Sequence, residues 1–226
     1  MTMSTFNFHR NRVHSAHSAP SVHSDSDPEI DLAKVICVTN RSLFQSQADF
    51  LQRLEKIAAK GPRAVVLREK DMEPADYEAL AKEVMAVCRR HDVPCILHQF
   101  SETAQKLQSD GLHLPLPLLR RLRAEGKALK VPELGTSCHS VQDVREAMKL
   151  GCTYVFAGHI YVTSCKPGLT PRGLTFLREA VRASSVPVYA IGGLTPARLP
   201  EVLAAGAAGG CAMSSLMTGS LWFSGS

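Results

Sequence analysis

Eight short apolar runs recur along this chain, each followed by a stretch with helical or loop character, and this alternation is what most constrains the fold. The runs are VICVT (35–39), AVVLR (64–68), PCILH (94–98), GLHL (111–114), LGTSC (134–138), YVFAG (154–158), VYAIGG (188–193) and GGCAMSS (209–215). Near-continuous apolar runs of this length suit parallel strands covered by helices on their outer faces. Amphipathic segments such as 74–91, 141–151 and 196–206 supply those helices. Each strand and helix pair takes roughly 22 residues, enough for one strand, one helix and two short loops. Eight such units predict an α/β fold of the (β/α)8 TIM-barrel type, with a doubly wound open sheet as the alternative that strand count alone leaves open. Only eleven residues follow Ser215, with Gly219, Gly225 and three serines among them, so the last helix is expected to be short or missing.

Composition narrows the class. Of 226 residues, 45% are hydrophobic and 21% charged, enough apolar matter for one globular core. The first 30 residues depart from this: they hold four of the nine histidines, many serines and no apolar period, and read as a disordered tail before a single barrel domain over 31–226. His9, His14, His17 and His23 lack regular helical spacing, which speaks against a metal-binding tail. No window is apolar enough to span a membrane and the start has no signal-peptide core. Seven scattered cysteines without a CxxC pattern suggest reduced thiols and a cytoplasmic protein. A net charge of +5 with dispersed basic residues argues against nucleic acid and for a small anionic ligand.

In such a barrel the reacting groups sit at the C-terminal ends of strands. Gly192 and Gly193 end strand seven, and Ser214 and Ser215 end strand eight. Glycines without Cβ let a phosphate approach the backbone, and N–H groups there can hold its oxygens; the plain alternative is a tight strand-to-helix turn. His159 follows strand six, with Thr163, Ser164 and Lys166 behind it on the loop. An imidazole there suits general acid–base chemistry, although a histidine at a strand end is often structural. On strand two, alternation puts Arg68 and Lys70 on one face and Glu69 on the other, so two cations could meet one anion; a solvated charge run is the alternative, chiefly for Lys70. His98, Ser137 and His139 end strands three and five, and His113 lies inside strand four, where alternation makes it an interior layer residue. These histidines have no strand-end carboxylate beside them and no HxH or HxxxH spacing, so no metal site is expected.

VTNRSL, LREKD, GLHL, the strand-six segment and AIGGLTPARL keep their order and spacing over about residues 34–217, and the chain resembles the thiamin phosphate synthase and thiazole tautomerase superfamily. For the synthase branch the resemblance implies Mg²⁺ held by an Asn-Asp pair after strand three and an acidic run after strand four. His98-Gln99 and Pro115-Leu116-Pro117-Leu118 stand there instead, and Val66 replaces the branch's glutamine on strand two. A hard dication wants carboxylate oxygen, which these residues lack. The run from Gly158 to Gly168 resembles the tautomerase hallmark, with His159 where the synthase usually has proline.

The resemblance therefore implies a thiazole tautomerase of thiamin biosynthesis. His159 is the expected catalytic acid and base and no cofactor is needed. Gly192, Gly193, Ser214 and Ser215 are placed on the substrate phosphate, and Arg68, Lys70, His98, Ser137, Thr163 and Lys166 around the rest of a small phosphorylated thiazole. His98 could share the role of His159. The alternatives are a synthase-like transferase with weak or lost activity and a non-catalytic thiazole phosphate-binding regulator. The resemblance also implies a homodimer, with Leu216, Leu221, Trp222 and Phe223 covering apolar surface within the chain or across the interface.

Overall fold

A computed structural model describes residues 30–219 and 221–223. The expected tail, save Ile30, lies outside the described residues. Eight strands hydrogen-bond in chain order and the first pairs with the last, all in parallel, so the sheet closes on itself. They are β1 (Val35–Val38), β2 (Ala64–Leu67), β3 (Cys95–His98), β4 (Gly111–Pro115), β5 (Glu133–Cys138), β6 (Tyr154–Gly158), β7 (Val188–Ile191) and β8 (Gly209–Ala212). The open-sheet alternative is thereby excluded. Helices α1 (Gln47–Ala59), α2 (Pro74–Arg90), α3 (Ser101–Lys106), α4 (Leu116–Ala124), α5 (Val141–Lys149), α6 (Gly173–Ala183), α7 (Leu199–Ala204) and α8 (Ser214–Met217) alternate with them. None of the described helices is long and apolar enough to cross a membrane.

Local chemistry explains the helix starts. Ser46 and Ser140 cap α1 and α5 by accepting from the amides of Asp49 and Asp143, satisfying donors that a helix start leaves open. α2 starts on Pro74, whose missing N–H costs nothing in a first turn. Period-two alternation divides the core. Val35, Cys37, Val65, Leu67, Cys95 and Leu97 face the helices, whereas Ile36, Val38, Ala64, Val66, Ile96, Tyr154, Phe156, Tyr189 and Cys211 fill the barrel. The inside is thus a packed plug of side chains.

Two strands end more than one residue short of expectation. β7 stops at Ile191 and β8 at Ala212, so Gly192 and Gly193 form a turn, and Ser214 and Ser215 open α8 instead of ending a strand. After β4 there is no loop: Pro115 ends the strand and Leu116 begins α4. The last helix has four residues, as its composition suggested, and a 3-10 turn over Leu221–Phe223 follows. Leu216 and Trp222 are buried within the chain. Arg53 on α1 holds this end by donating to the carbonyls of Leu216 and Gly219, with its guanidinium over the Phe223 ring.

Candidate active site

The rim over β2–β5 is made of side chains. Arg68 and Lys70 continue the inward set of β2, and Glu69 turns outward, as alternation predicts. Glu69 is buried and occupied: one oxygen accepts from the Thr39 hydroxyl at 2.6 Å, and both accept from the Arg41 amide at 3.1 Å. Burial raises its pKa against the pull of these bonds. The carboxylate nearest this rim therefore braces the loop after β1 and does not face the opening. Lys70 has its pKa lowered by burial and by the charges of Arg68 and Lys166, so the three cations lie within reach of one another's fields.

Below them His98 and His113 lie nearly parallel, with ring centroids 5.9 Å apart. His98 has its pKa pushed down to about 3, by burial first and then by Arg68 and Lys70. His113 moves the same way through burial, His98 and Arg68, so both rings are neutral near pH 7. His113 is the interior layer residue expected, and it does more: it stacks on Phe156 at 4.2 Å and hydrogen-bonds Ser137 Oγ at 2.9 Å and the Tyr154 hydroxyl at 3.2 Å. No hydrogen bond engages the His98 ring among the described residues, although its backbone amide donates to Tyr77 Oη at 3.0 Å. Tyr77 in turn donates to the Leu67 carbonyl at 2.7 Å, joining β2 and β3 where their ladder opens. Tyr77 was invisible as a site element in the sequence, where it reads as one apolar position of α2.

Over β6–β8 the rim is mostly backbone. His159 is buried directly after β6, and its Nε2 lies 3.3 Å from the Leu169 carbonyl. A carbonyl only accepts, so Nε2 is the donor in this contact. The chain on either side of the ring is tied down: the His159 carbonyl accepts from the Arg172 amide, and the Ile160 and Tyr161 amides donate to Ile191 and Gly192. Among the described residues no hydrogen bond or ring contact joins His159 to His98 or His113. Thr163 folds onto its own turn, its hydroxyl accepting from the Cys165 amide at 3.3 Å.

The two glycines have a neighbour that the sequence did not reveal. A Cβ on Gly192 would stand 2.3 Å from the His159 Cβ, and one on Gly193 would stand 2.4 Å from the Val162 carbonyl oxygen. Both also have positive φ, at +99° and +68°. Their missing side chains thus let the strand-six loop pack on the β7 turn. The amides of Gly192, Gly193, Ser214 and Ser215 nevertheless donate to no carbonyl among the described residues, so donors remain at this edge. The Ser215 hydroxyl is taken by the Leu194 carbonyl at 2.8 Å.

The donor set does not fit a Mg²⁺ site. At the two positions where the resemblance places its ligands stand Gln99 and the first turn of α4, an apolar and proline stretch. The nearby carboxylate, Glu69, is committed to Thr39 and Arg41. Among the described residues no group of three or more His, Cys, Asp or Glu is arranged to hold a metal ion.

Comparison with known proteins agrees with this architecture. A thiamine-phosphate synthase of Roseiflexus castenholzii is 33% identical over 163 residues, covering 70% of this chain and 69% of that protein. One of Syntrophomonas wolfei is 31% identical over 186 residues, covering 80% and 86%. Among solved structures, a thiamine phosphate pyrophosphorylase from Pyrococcus furiosus superposes with a TM-score of 0.69 at 24% identity, over 86% of this chain and 92% of that one, which establishes shared fold. The sequence pattern of the family described as "Thiamine monophosphate synthase" matches residues 35–216, nearly the whole barrel, and the chain belongs to that family.

Proposed function

We propose that this protein isomerises a carboxylated thiazole phosphate, converting the tautomer with an exocyclic double bond into the aromatic ring. The observation that carries this reading is the buried His159 directly after β6, whose Nε2 donates to the Leu169 carbonyl; in this reading Nδ1 is the proton acceptor. Nδ1 takes the proton from ring C2; the electron pair moves through the ring to the exocyclic carbon, and that carbon receives the proton back from Nδ1. One imidazole serves both steps if both carbons come within its reach, and the reaction consumes nothing else. The open amides of Gly192, Gly193, Ser214 and Ser215 suit the phosphate. Arg68, Lys70 and Lys166, with Ser137 and Thr163, suit the carboxylate and the charge that builds during the shift. His98, neutral and open at the rim, suits a contact with the ring.

The test follows ultraviolet absorbance and hydrogen exchange at ring C2 for wild type and His159→Asn. A drop of roughly 10²- to 10⁴-fold is expected for loss of the acid–base group; equal rates would sink the role of His159. His98→Asn should cost less, and a larger loss there would transfer the chemistry to His98.

A second reading, transfer of the pyrimidine methyl group from its diphosphate to the ring nitrogen of the thiazole phosphate with release of pyrophosphate, is favoured by the names of the relatives. It requires a dication at positions whose side chains do not suit one. Formation of thiamin phosphate that depends on Mg²⁺ would establish it over isomerisation. A non-catalytic binder would show neither reaction and would retain ligand affinity in His159→Asn.

A further inference from the structure

We infer that Tyr154, His113 and Ser137 form a proton-ordered relay that makes the Ser137 hydroxyl a hydrogen-bond donor to an anionic group at the barrel mouth. The three side chains are in line: Tyr154 Oη to His113 Nδ1 is 3.2 Å, and His113 Nε2 to Ser137 Oγ is 2.9 Å. Tyr154 and His113 are buried, whereas Ser137 is only half-buried and reaches the rim. The arrangement depends on Gly135. A Cβ there would stand 2.1 Å from the Tyr154 Cζ, so the glycine leaves the space in which the phenol leans toward His113.

Two proton orders fit these distances. In one, Tyr154 donates to Nδ1, Nε2–H donates to Ser137, and the serine proton points out of the relay. In the other, Ser137 donates to Nε2, Nδ1–H donates to Tyr154, and the serine presents only lone pairs. A neutral imidazole has a single N–H, so the two orders exclude each other. Burial keeps both groups uncharged, the phenol by raising its pKa and the imidazole by lowering its own, so the relay cannot escape the choice by ionising. Arg68, Lys70 and Lys166 draw an anion to this rim, and an anion accepts hydrogen bonds without donating them. With the anion in place only the first order gives Ser137 a partner on both sides. His113 and Tyr154 are then positioning residues, acting through Ser137. This inference rests on the reading above only in requiring an anionic ligand; it is independent of which bond the enzyme changes.

The experiment is ¹⁵N NMR of imidazole-labelled full-length protein with acetate, a carboxylate without phosphate, as the probe, the His113 signals being assigned by their loss in His113→Gln. At saturating acetate the wild type should show His113 as the Nε2–H tautomer. Ser137→Ala should weaken acetate binding about ten-fold, the scale of one charge-assisted hydrogen bond, and Tyr154→Phe should weaken it less while shifting the His113 tautomer. The Nδ1–H tautomer at saturation, a protonated His113, or unaltered acetate affinity in Ser137→Ala would each overturn the relay. The tautomer is read on unmutated protein, so poor folding of a variant does not decide the matter. Absence of C2 proton exchange in wild type would defeat the isomerase reading alone and leave the relay standing.

Discussion

The two halves of the barrel mouth are built from different materials. Over β2–β5 the rim consists of side chains that alternation turns inward: Arg68 and Lys70, whose charges act on His98, then His98 stacked on His113 and His113 hydrogen-bonded to Ser137. Over β6–β8 it consists of chain, with the His159 loop pressed on Gly192 and Gly193 and backbone amides at the edge. The first half stores its chemistry in the protonation state of buried rings. The second stores it in the path of the backbone. They should therefore fail differently, the first with pH and the second with added volume.

Acid is expected to have the largest effect. His98 is held near pKa 3 and His113 is lowered in the same direction, against an ordinary value near 6.5. As pH falls below 6.5 the unfolded chain takes up protons that the folded chain refuses, so stability present above that pH is lost on the way down to about 3. Integrated between pH 7 and 5, His98 alone contributes a loss of about 2 kcal/mol, and His113 adds to it in the same direction. Glu69, raised by burial, works in the opposite sense: its folded form binds a proton more readily, so its contribution declines as pH rises through its folded pKa. Urea unfolding of wild type and His98→Asn at both pH values isolates the imidazole part. The variant should lose clearly less stability than wild type on acidification; parallel losses would show that His98 is not held neutral by the fold.

The backbone half should be broken next by Gly192→Ala. An alanine must adopt φ near +99° and place its Cβ 2.3 Å from that of His159. Strain and overpacking together are expected to cost about 2–4 kcal/mol and to displace His159. Ser137→Ala, the matching change in the other half, should stay within about 1 kcal/mol. Thermal melts of the two variants compare the halves directly, and a harmless Gly192→Ala would mean that the strand-six loop can move aside.

Legibility follows the same division. Alternation identifies the eight strands, gives β6 its observed limits, and assigns the faces of Arg68, Glu69 and His113, because side-chain direction in a strand is a property of local sequence. The partners of these residues are not local. That Glu69 meets Thr39 and Arg41, that His113 meets Ser137, and that Tyr77 bridges β2 and β3 all depend on the register of a closed barrel. The short α3 has six residues, too few to display a period. Pro117 lies in the first turn of α4, where its missing N–H costs nothing. The packing of the strand-six loop on Gly192 and Gly193 is likewise a contact between strands six and seven that local sequence does not show.

Arg198 offers the mildest probe of the backbone half. Its Nη1 donates to the Gly193 carbonyl at 2.6 Å, and its guanidinium lies 4.6 Å from the centroid of the Tyr161 ring. Tyr161 is itself held by donation to Glu201 at 2.9 Å. One planar cation thus clamps the glycine turn to the strand-six loop from outside, without belonging to the rim. Lysine keeps the charge but loses the planar fork, so Arg198→Lys is expected to cost about 1 kcal/mol at this half-exposed site. Because the Gly193 carbonyl shares a rigid turn with the open amides, the same change should raise KM for a phosphate-bearing substrate while leaving kcat nearly intact. Steady-state kinetics separate the two constants. A fall in kcat with unchanged KM would mean that the turn positions His159 more than it positions phosphate, and the two roles now assigned to this half would have to be reversed in weight.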